Sequence, residues 1–295
     1  MSTLVNTDRL ATAPSYQGNL KEDDNLMSAR NLPRGTTEIV GSSATSIRQR
    51  LLEEIQRGKG GQYVLVTNVS PDLVEQSIDR RVKVFGCKCQ ITYDADTRRM
   101  IVKLPGGPHE LSSGFFDLEI AYQTQSMNLA HALKGIHSKA HKDGSYIKEP
   151  DSCFRPRVLP LGRSIKWPTL VLECGWAESL AHLRMDADWW ISHSEGDVKV
   201  VIIASIEKNP YKLHIERYSG VQPQTRARTR YTKALEQTVK VYRTSNGVVK
   251  TVGDPLIIPF TQVMLRTSNG LPEGDFIFDQ AKLTSMAIDA WDEPV

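Results

Sequence analysis

The chain has 295 residues, 40% hydrophobic and 24% charged, with a formal net charge of +3. This is ordinary for a globular protein of one large or two small domains, and it excludes a globally basic nucleic-acid binder. Four cysteines, Cys87, Cys89, Cys153 and Cys174, make no disulfide framework and no zinc spacing, and no apolar run approaches the roughly 18 residues of a membrane span.

Residues 1–40 are polar and aperiodic and read as a disordered N-terminal arm. They lack the charged-then-apolar layout of a signal peptide. With the thiols free, the expected compartment is intracellular, nuclear or cytoplasmic. From residue 45 the pattern changes. Ile47, Leu51 and Ile55 recur at helical spacing and predict a helix over 45–57. A strand follows at 63–67. Ser70-Pro71-Asp72 reads as a cap and first turn of a second helix. Two apolar runs at 88–93 and 100–104 flank Asp94-Ala95-Asp96-Thr97, a hairpin signature. Pro105-Gly106-Gly107-Pro108 breaks the chain before a helix expected over 112–126, with Phe115, Leu118, Ile120 and Tyr122 as its apolar surface.

Strands are expected at 151–155 and 169–174, then a helix over 178–192 with a stripe of Leu180, Leu183, Ala187 and Trp190. The run 198–206 is nearly all apolar, as in a strand buried on both faces. Strand, helix, strand over 169–206 predicts a right-handed crossover between parallel strands. Further strands are expected at 213–218, 238–242 and 256–260, and a closing helix before residue 291. The fold class is α/β, with one domain over 45–295.

The long link between the strands at 151 and 169 suits an antiparallel return. That return places Asp151 beside Glu173 at one end of the sheet. With the backbone carbonyl of Cys174, they make an oxygen-ligand set for Mg²⁺ or Mn²⁺. The start of the following helix, near Glu178, lies at the same end and favours phosphate. Both also have ordinary readings: a Pro-Asp pair is common and recurs at Pro71-Asp72, and a glutamate near a strand end is usually solvated. Residues 131–166 hold eight Lys or Arg against three acids. Lys148, Arg155, Arg157, Arg163 and Lys166 are the candidates for a phosphate backbone, with a solvated basic face as the alternative. Arg226 to Lys233 is a second basic stretch. Trp189 is expected to be partly exposed and Trp190 to be core. His109 and His182 are placed near the site only by sequence proximity.

The stretches PDSCFRPR, WPTLVLECGWAESLAHLRMDADWWI and VKVVIIASI resemble the PD-(D/E)XK restriction-endonuclease-like proteins. The likeness is greatest to a group of fungal members with PDxxFRP, WPxLVxExGxxES and DAxWW, and LPGGPHE at 104–110 resembles a segment of bacterial restriction endonucleases. It covers roughly 88–206. It implies a mixed β-sheet flanked by helices and a metal-dependent endonuclease, with nucleic acid, DNA before RNA, as partner. It carries Mg²⁺ binding onto Asp151 and Glu173, with Glu110 (or Glu119) as a third acid. The family pattern ends E-x-K, but Gly175 stands here in place of the lysine. Arg184 on the following helix, or Lys166, is the candidate replacement, and the alternative is a slow or non-catalytic module on a nuclease fold. Asp197-Val198-Lys199 matches D-x-K by letter, but the crossover puts it at the other end of the sheet, where Asp197 reads as a turn residue.

Overall fold

The computed structural model describes residues 26–33, 35–57, 63–104, 106–176, 180–222 and 230–292. Strand β1 (Thr37–Val40) precedes helix α1 (Ala44–Arg57), strand β2 (Tyr63–Thr67), and the short helices α2 (Pro71–Ile78) and α3 (Arg81–Phe85). The Ser70 hydroxyl accepts from the Leu73 N–H, with Pro71 in the first turn, so the cap forms as its sequence predicts. Strands β3 (Gln90–Asp94) and β4 (Arg99–Lys103) form the expected hairpin. Helix α4 runs Gly107–Ser126. Its start is five residues earlier than 112, because Gly107 and Pro108 occupy first-turn positions, where proline lacks nothing the helix needs.

Short strands β5 (Leu133–Gly135), β6 (His141–Asp143) and β7 (Tyr146–Lys148) precede β8 (Ser152–Pro156) and β9 (Leu170–Trp176). Helix α5 (Leu180–His193) then leads to β10 (Val200–Lys208), β11 (Tyr211–Val221), β12 (Thr232–Arg243) and β13 (Val249–Val252). The chain closes with β14 (Leu256–Ile258), α6 (Phe260–Met264), β15 (Phe276–Phe278) and α7 (Gln280–Asp292).

The strands form two large sheets. One has six strands in the order β1-β2-β4-β3-β7-β6, the other seven in the order β13-β12-β11-β10-β9-β8-β5. Both mix parallel and antiparallel pairs and carry helices, so the mixed α/β class holds. The crossover β9-α5-β10 is parallel, with Glu173 opposite Ile203. The β8–β9 pair is antiparallel, with Ser152 opposite Leu172. Along β9 the side chains alternate: Leu170, Leu172 and Cys174 join a core that includes residues of α4 and α7, while Val171 joins the core beneath α5.

Several local expectations change. The chain is packed before residue 40: Met27 and Leu32 are buried in a cluster with Tyr63, Leu65 and Ile101, and Leu26 is buried in the core beneath α5. Such isolated apolar residues leave no period to read. In α1 the buried positions are Ile47, Leu51 and Glu54, and Ile55 is 37% exposed. In α4, Phe116 and Ile120 are buried while Leu118 and Tyr122 face outward. Trp189, like Trp190, is buried, because α5 packs both on the seven-stranded sheet and against a Trp167–His141 stack. Asp197 does close a turn, after Glu195 and Gly196 at φ of +52° and +77°.

The α1 register gives a direct check. Ile47→Ala removes a fully buried side chain and is expected to cost about 2–5 kcal/mol, whereas Ile55→Ala, at the rim, should cost less than about 1 kcal/mol. Urea unfolding of the two variants measures the difference, and equal losses would contradict this packing.

Candidate functional site

The chain passes from one sheet to the other between Lys148, the last residue of β7, and Ser152, the first of β8. Glu149 anchors this crossing. Its Oε2 accepts the Ile91 N–H at 2.9 Å, and Arg81 Nη2 donates to its Oε1 at 2.8 Å. Burial pushes the Glu149 carboxyl above its ordinary range, opposed by the Arg81 guanidinium. Asp151, two residues on, is thereby fixed at the head of β8. Continuing the β8–β9 register one step beyond Ser152 and Leu172 sets it beside Glu173.

The Asp151 side chain is only 1% exposed. Its Oδ2 accepts the Cys174 N–H at 2.5 Å and the Lys103 ammonium at 2.6 Å. The same Lys103 Nζ donates to the Cys174 carbonyl at 2.5 Å. Lys103 ends β4 in the other sheet and lies over the Tyr63 ring, 5.8 Å from its centroid. One ammonium therefore sits on two of the three groups that the sequence assigns to a metal, Asp151 and the Cys174 carbonyl.

Glu173 faces α5. Its Oε1 accepts the Trp190 indole N–H at 2.6 Å and lies 3.5 Å from Lys148 Nζ. Lys148 donates at 2.6 Å to Asp186, which in turn lies 3.8 Å from His182 Nε2. All four side chains are buried. Burial raises the Glu173 carboxyl to about 7, with Lys148 pulling the other way and Asp186 and Asp151 adding to the rise. For Lys148, burial acts to lower the ammonium, but the carboxylates of Asp186 and Glu173 outweigh it and the net shift is upward. Burial lowers His182, and so favours its neutral form.

Two cavities meet at Lys103. A narrow pocket of about 20 Å³, by volume enough for one water, is lined by Lys103, Lys148, Glu173, His182 and Asp186 among others. On the other side, a cleft of about 230 Å³ is lined by Lys88, Gln90, Lys103, Glu110, Ser113 and Asp151 among others. Asp151 therefore borders the wider cleft and Glu173 the narrow pocket.

The remaining predicted residues separate into three groups. Glu110 is exposed on the first turn of α4 and lines the cleft with Asp151. Glu119 instead pairs with Lys282 at 2.5 Å, toward α7. Arg184 is held away from Glu173 by Glu216, its Nε donating to Oε2 at 2.9 Å and its Nη2 to Oε1 at 2.5 Å. Glu216 is buried and already accepts from His214 and Tyr218, so it needs a guanidinium more than the sheet end does. Lys148 is buried inside the site and cannot line a phosphate backbone. Arg163 is committed to Asp197 and Lys166 to Asp143. Arg157 is exposed and Arg155 half-buried on β8. Arg226, Arg228, Glu178 and the His109 side chain lie outside the described residues, and Lys233 donates to the Arg184 carbonyl.

Three contributors carry no local signal in the sequence. Lys103 and Asp186 sit at ordinary positions of a strand and a helix. Asp117 on α4 accepts from the Ser152 hydroxyl, and its carboxyl is raised chiefly by burial, with Asp151 adding to the rise.

No family model matches the chain, and no curated protein sequence matches it. Among solved structures it is similar to one described as "a putative nuclease belonging to DUF820 from Anabaena variabilis". The identity is 10%, the TM-score 0.36, and the match covers 67% of this chain and 90% of that one. This is a weak likeness of fold and nothing more.

The residues present fit a hard cation in one respect. Asp151 Oδ2 and the Cys174 carbonyl oxygen converge on a single positive group at 2.5–2.6 Å, and Mg²⁺ is commonly held by one or two carboxylates with water completing its shell. Among the described residues, no group of three or more His, Cys, Asp or Glu side chains is arranged to hold a metal. A metal here would rest on Asp151, the Cys174 carbonyl and the neighbouring Glu173.

Glu173 sets a pH dependence. Its carboxyl rises from an ordinary 4.5 to about 7 on folding, so the folded state holds a proton that the unfolded state has released. Its contribution is full below pH 4.5 and is lost as pH rises through 7. Relative to Glu173→Gln in chelator, the wild-type protein should lose roughly 3 kcal/mol of unfolding free energy across that interval. Denaturant titrations at the two pH extremes measure it, and parallel stability profiles would contradict the buried carboxyl.

Proposed function

We propose that the protein is a metal-dependent nuclease of the PD-(D/E)XK type, hydrolysing phosphodiester bonds, DNA before RNA, in the cleft beside Asp151. The observation that carries this reading is the convergence of Asp151 Oδ2 and the Cys174 carbonyl on one cation beside Glu173. A bound Mg²⁺ or Mn²⁺ would supply Lewis acidity and lower the pKa of a bound water. The chain's own residues do the rest. The Cys174 N–H fixes the Asp151 carboxylate in one rotamer, with its edge toward the cleft. Trp190 orients Glu173 from behind. Lys103 and Lys148 bring the positive charge that the family pattern places at residue 175, where this chain has glycine. Lys103 borders the cleft where a phosphate would lie, while buried Lys148 neutralises Asp186 and Glu173 and keeps the pair from repelling. Exposed Lys88 stands on the same cleft wall.

A second reading has its own support. Asp151 is paired with Lys103, and Asp186 with Lys148, so the centre is close to neutral with no metal at all. That suits a non-catalytic nucleic-acid-binding or protein-interaction module that retains the nuclease fold.

Cleavage of DNA and RNA with Mg²⁺ or Mn²⁺ separates the two. Asp151→Asn and Glu173→Gln are each expected to lower the cleavage rate by about 10²-fold or more, while Arg184→Gln should retain most of it. Cleavage indifferent to both acid substitutions would remove this centre as its source. Absence of cleavage in the wild type, with nucleic-acid binding retained, would favour the binding module.

A further inference from the structure

The Lys103 ammonium occupies a defined position. It is within 2.6 Å of Asp151 Oδ2 and 2.5 Å of the Cys174 carbonyl. These are the oxygens assigned above to a divalent ion, and both distances are compatible with only one cation between them. An ammonium and a hydrated-down Mg²⁺ both seek hard oxygen, but two positive charges at one point repel at several kcal/mol even in a polar environment. The two cannot share this oxygen pair.

We infer that Lys103 is the resident cation of the metal position, so that a divalent ion is admitted only by displacing its ammonium from Asp151 and Cys174. The inference rests on the reading of Asp151 and Glu173 as the metal centre and adds a competitor to it. The surroundings provide for both states. With Lys103 in place, the buried Asp151 carboxylate is compensated, which an isolated buried carboxylate would not be. Lys103 also lines both cavities, so its flexible stem borders the open cleft where Glu110 offers a second carboxylate. Displacement outward would place a cation on the cleft wall, and displacement inward is opposed by Lys148. Metal affinity is then set by an exchange of cations rather than by filling an empty cage, and the metal-free protein stays folded and neutralised.

Mn²⁺ binding to the full-length, chelator-treated protein tests this without reference to activity, by electron paramagnetic resonance of free Mn²⁺ and by melting temperature with and without metal. Lys103→Met should melt lower than wild type in chelator, bind Mn²⁺ at least tenfold more tightly, and regain its melting temperature when Mn²⁺ is added. Adding Asp151→Asn to Lys103→Met should abolish the gain. Where Lys103→Met does not fold in chelator, Lys103→Gln, which keeps a donor without the charge, takes its place in the same titration. Equal or weaker Mn²⁺ binding in the lysine variants than in wild type would overturn the exchange and leave the metal centre standing. No Mn²⁺ binding in any of these proteins would overturn both.

Discussion

The antiparallel register of β8 on β9 is the constraint on which the site depends. It sets Asp151 beside Glu173, and the hydrogen bonds of each carboxylate then hold them apart. The Asp151 carboxylate borders the cleft side, while Glu173 projects under α5 onto Trp190. Two carboxylates buried side by side repel and lose hydration, a cost of several kcal/mol per ion unless each has a partner. The second sheet provides those partners. Lys103 and Lys148 both end strands of that sheet, and their stems cross to the acids. The ion pairs therefore also join the two sheets, and the crossing at Glu149-Pro150-Asp151, clamped by Arg81, holds them in place.

Burial then raises the carboxyl of Glu173. Glu173 has an indole donor and a lysine shared with Asp186, and its carboxyl rises toward neutrality. Asp151 has a backbone N–H and a lysine directly on one oxygen. Two carboxylates with contrasting environments are the usual arrangement where protons and cations are exchanged. Here the contrast arises at the strand end: Asp151 precedes the first residue of β8 and is held by the Cys174 N–H and Lys103 at the cleft, whereas Glu173 lies within β9 beneath α5.

The elements that were legible in the sequence are those with a period or a cap. The hairpin at Asp94, the Ser70 cap and the β9-α5-β10 crossover follow from local patterns that tertiary packing had no reason to override. The pairing of Asp151 with Glu173 was also readable, because link length and strand direction determine it. What was not readable is the origin of the positive charge. Gly175 removes the lysine that the family pattern would supply, and residues near it in sequence, Arg184 and Lys166, are the natural substitutes by proximity. Each is taken by another carboxylate, Glu216 and Asp143. The lysines that do arrive come from 71 residues before Cys174 in the case of Lys103, across a sheet boundary with no sequence mark. Lys148 was visible only as one charge in a basic run, where exposure is the default reading. Its burial depends on Asp186, whose position on α5 becomes interior only because that helix is covered on a second side.

The same boundary explains why the basic run does not act as a unit. Four of its eight members are paired with separate carboxylates: Lys148 with Asp186, Arg163 with Asp197, Lys166 with Asp143 and Lys142 with Glu75. Local charge excess counts side chains before they are paired, and a phosphate backbone responds only to those left over. On the proposed reading, the cations nearest to Asp151 are those of the cleft itself, Lys88 and Lys103. If a substrate phosphate enters there, the ammonium that neutralises the metal-free centre is the one nearest to it. Ligand and metal then draw on the same side chain, which couples their binding by charge alone and requires no movement of the backbone.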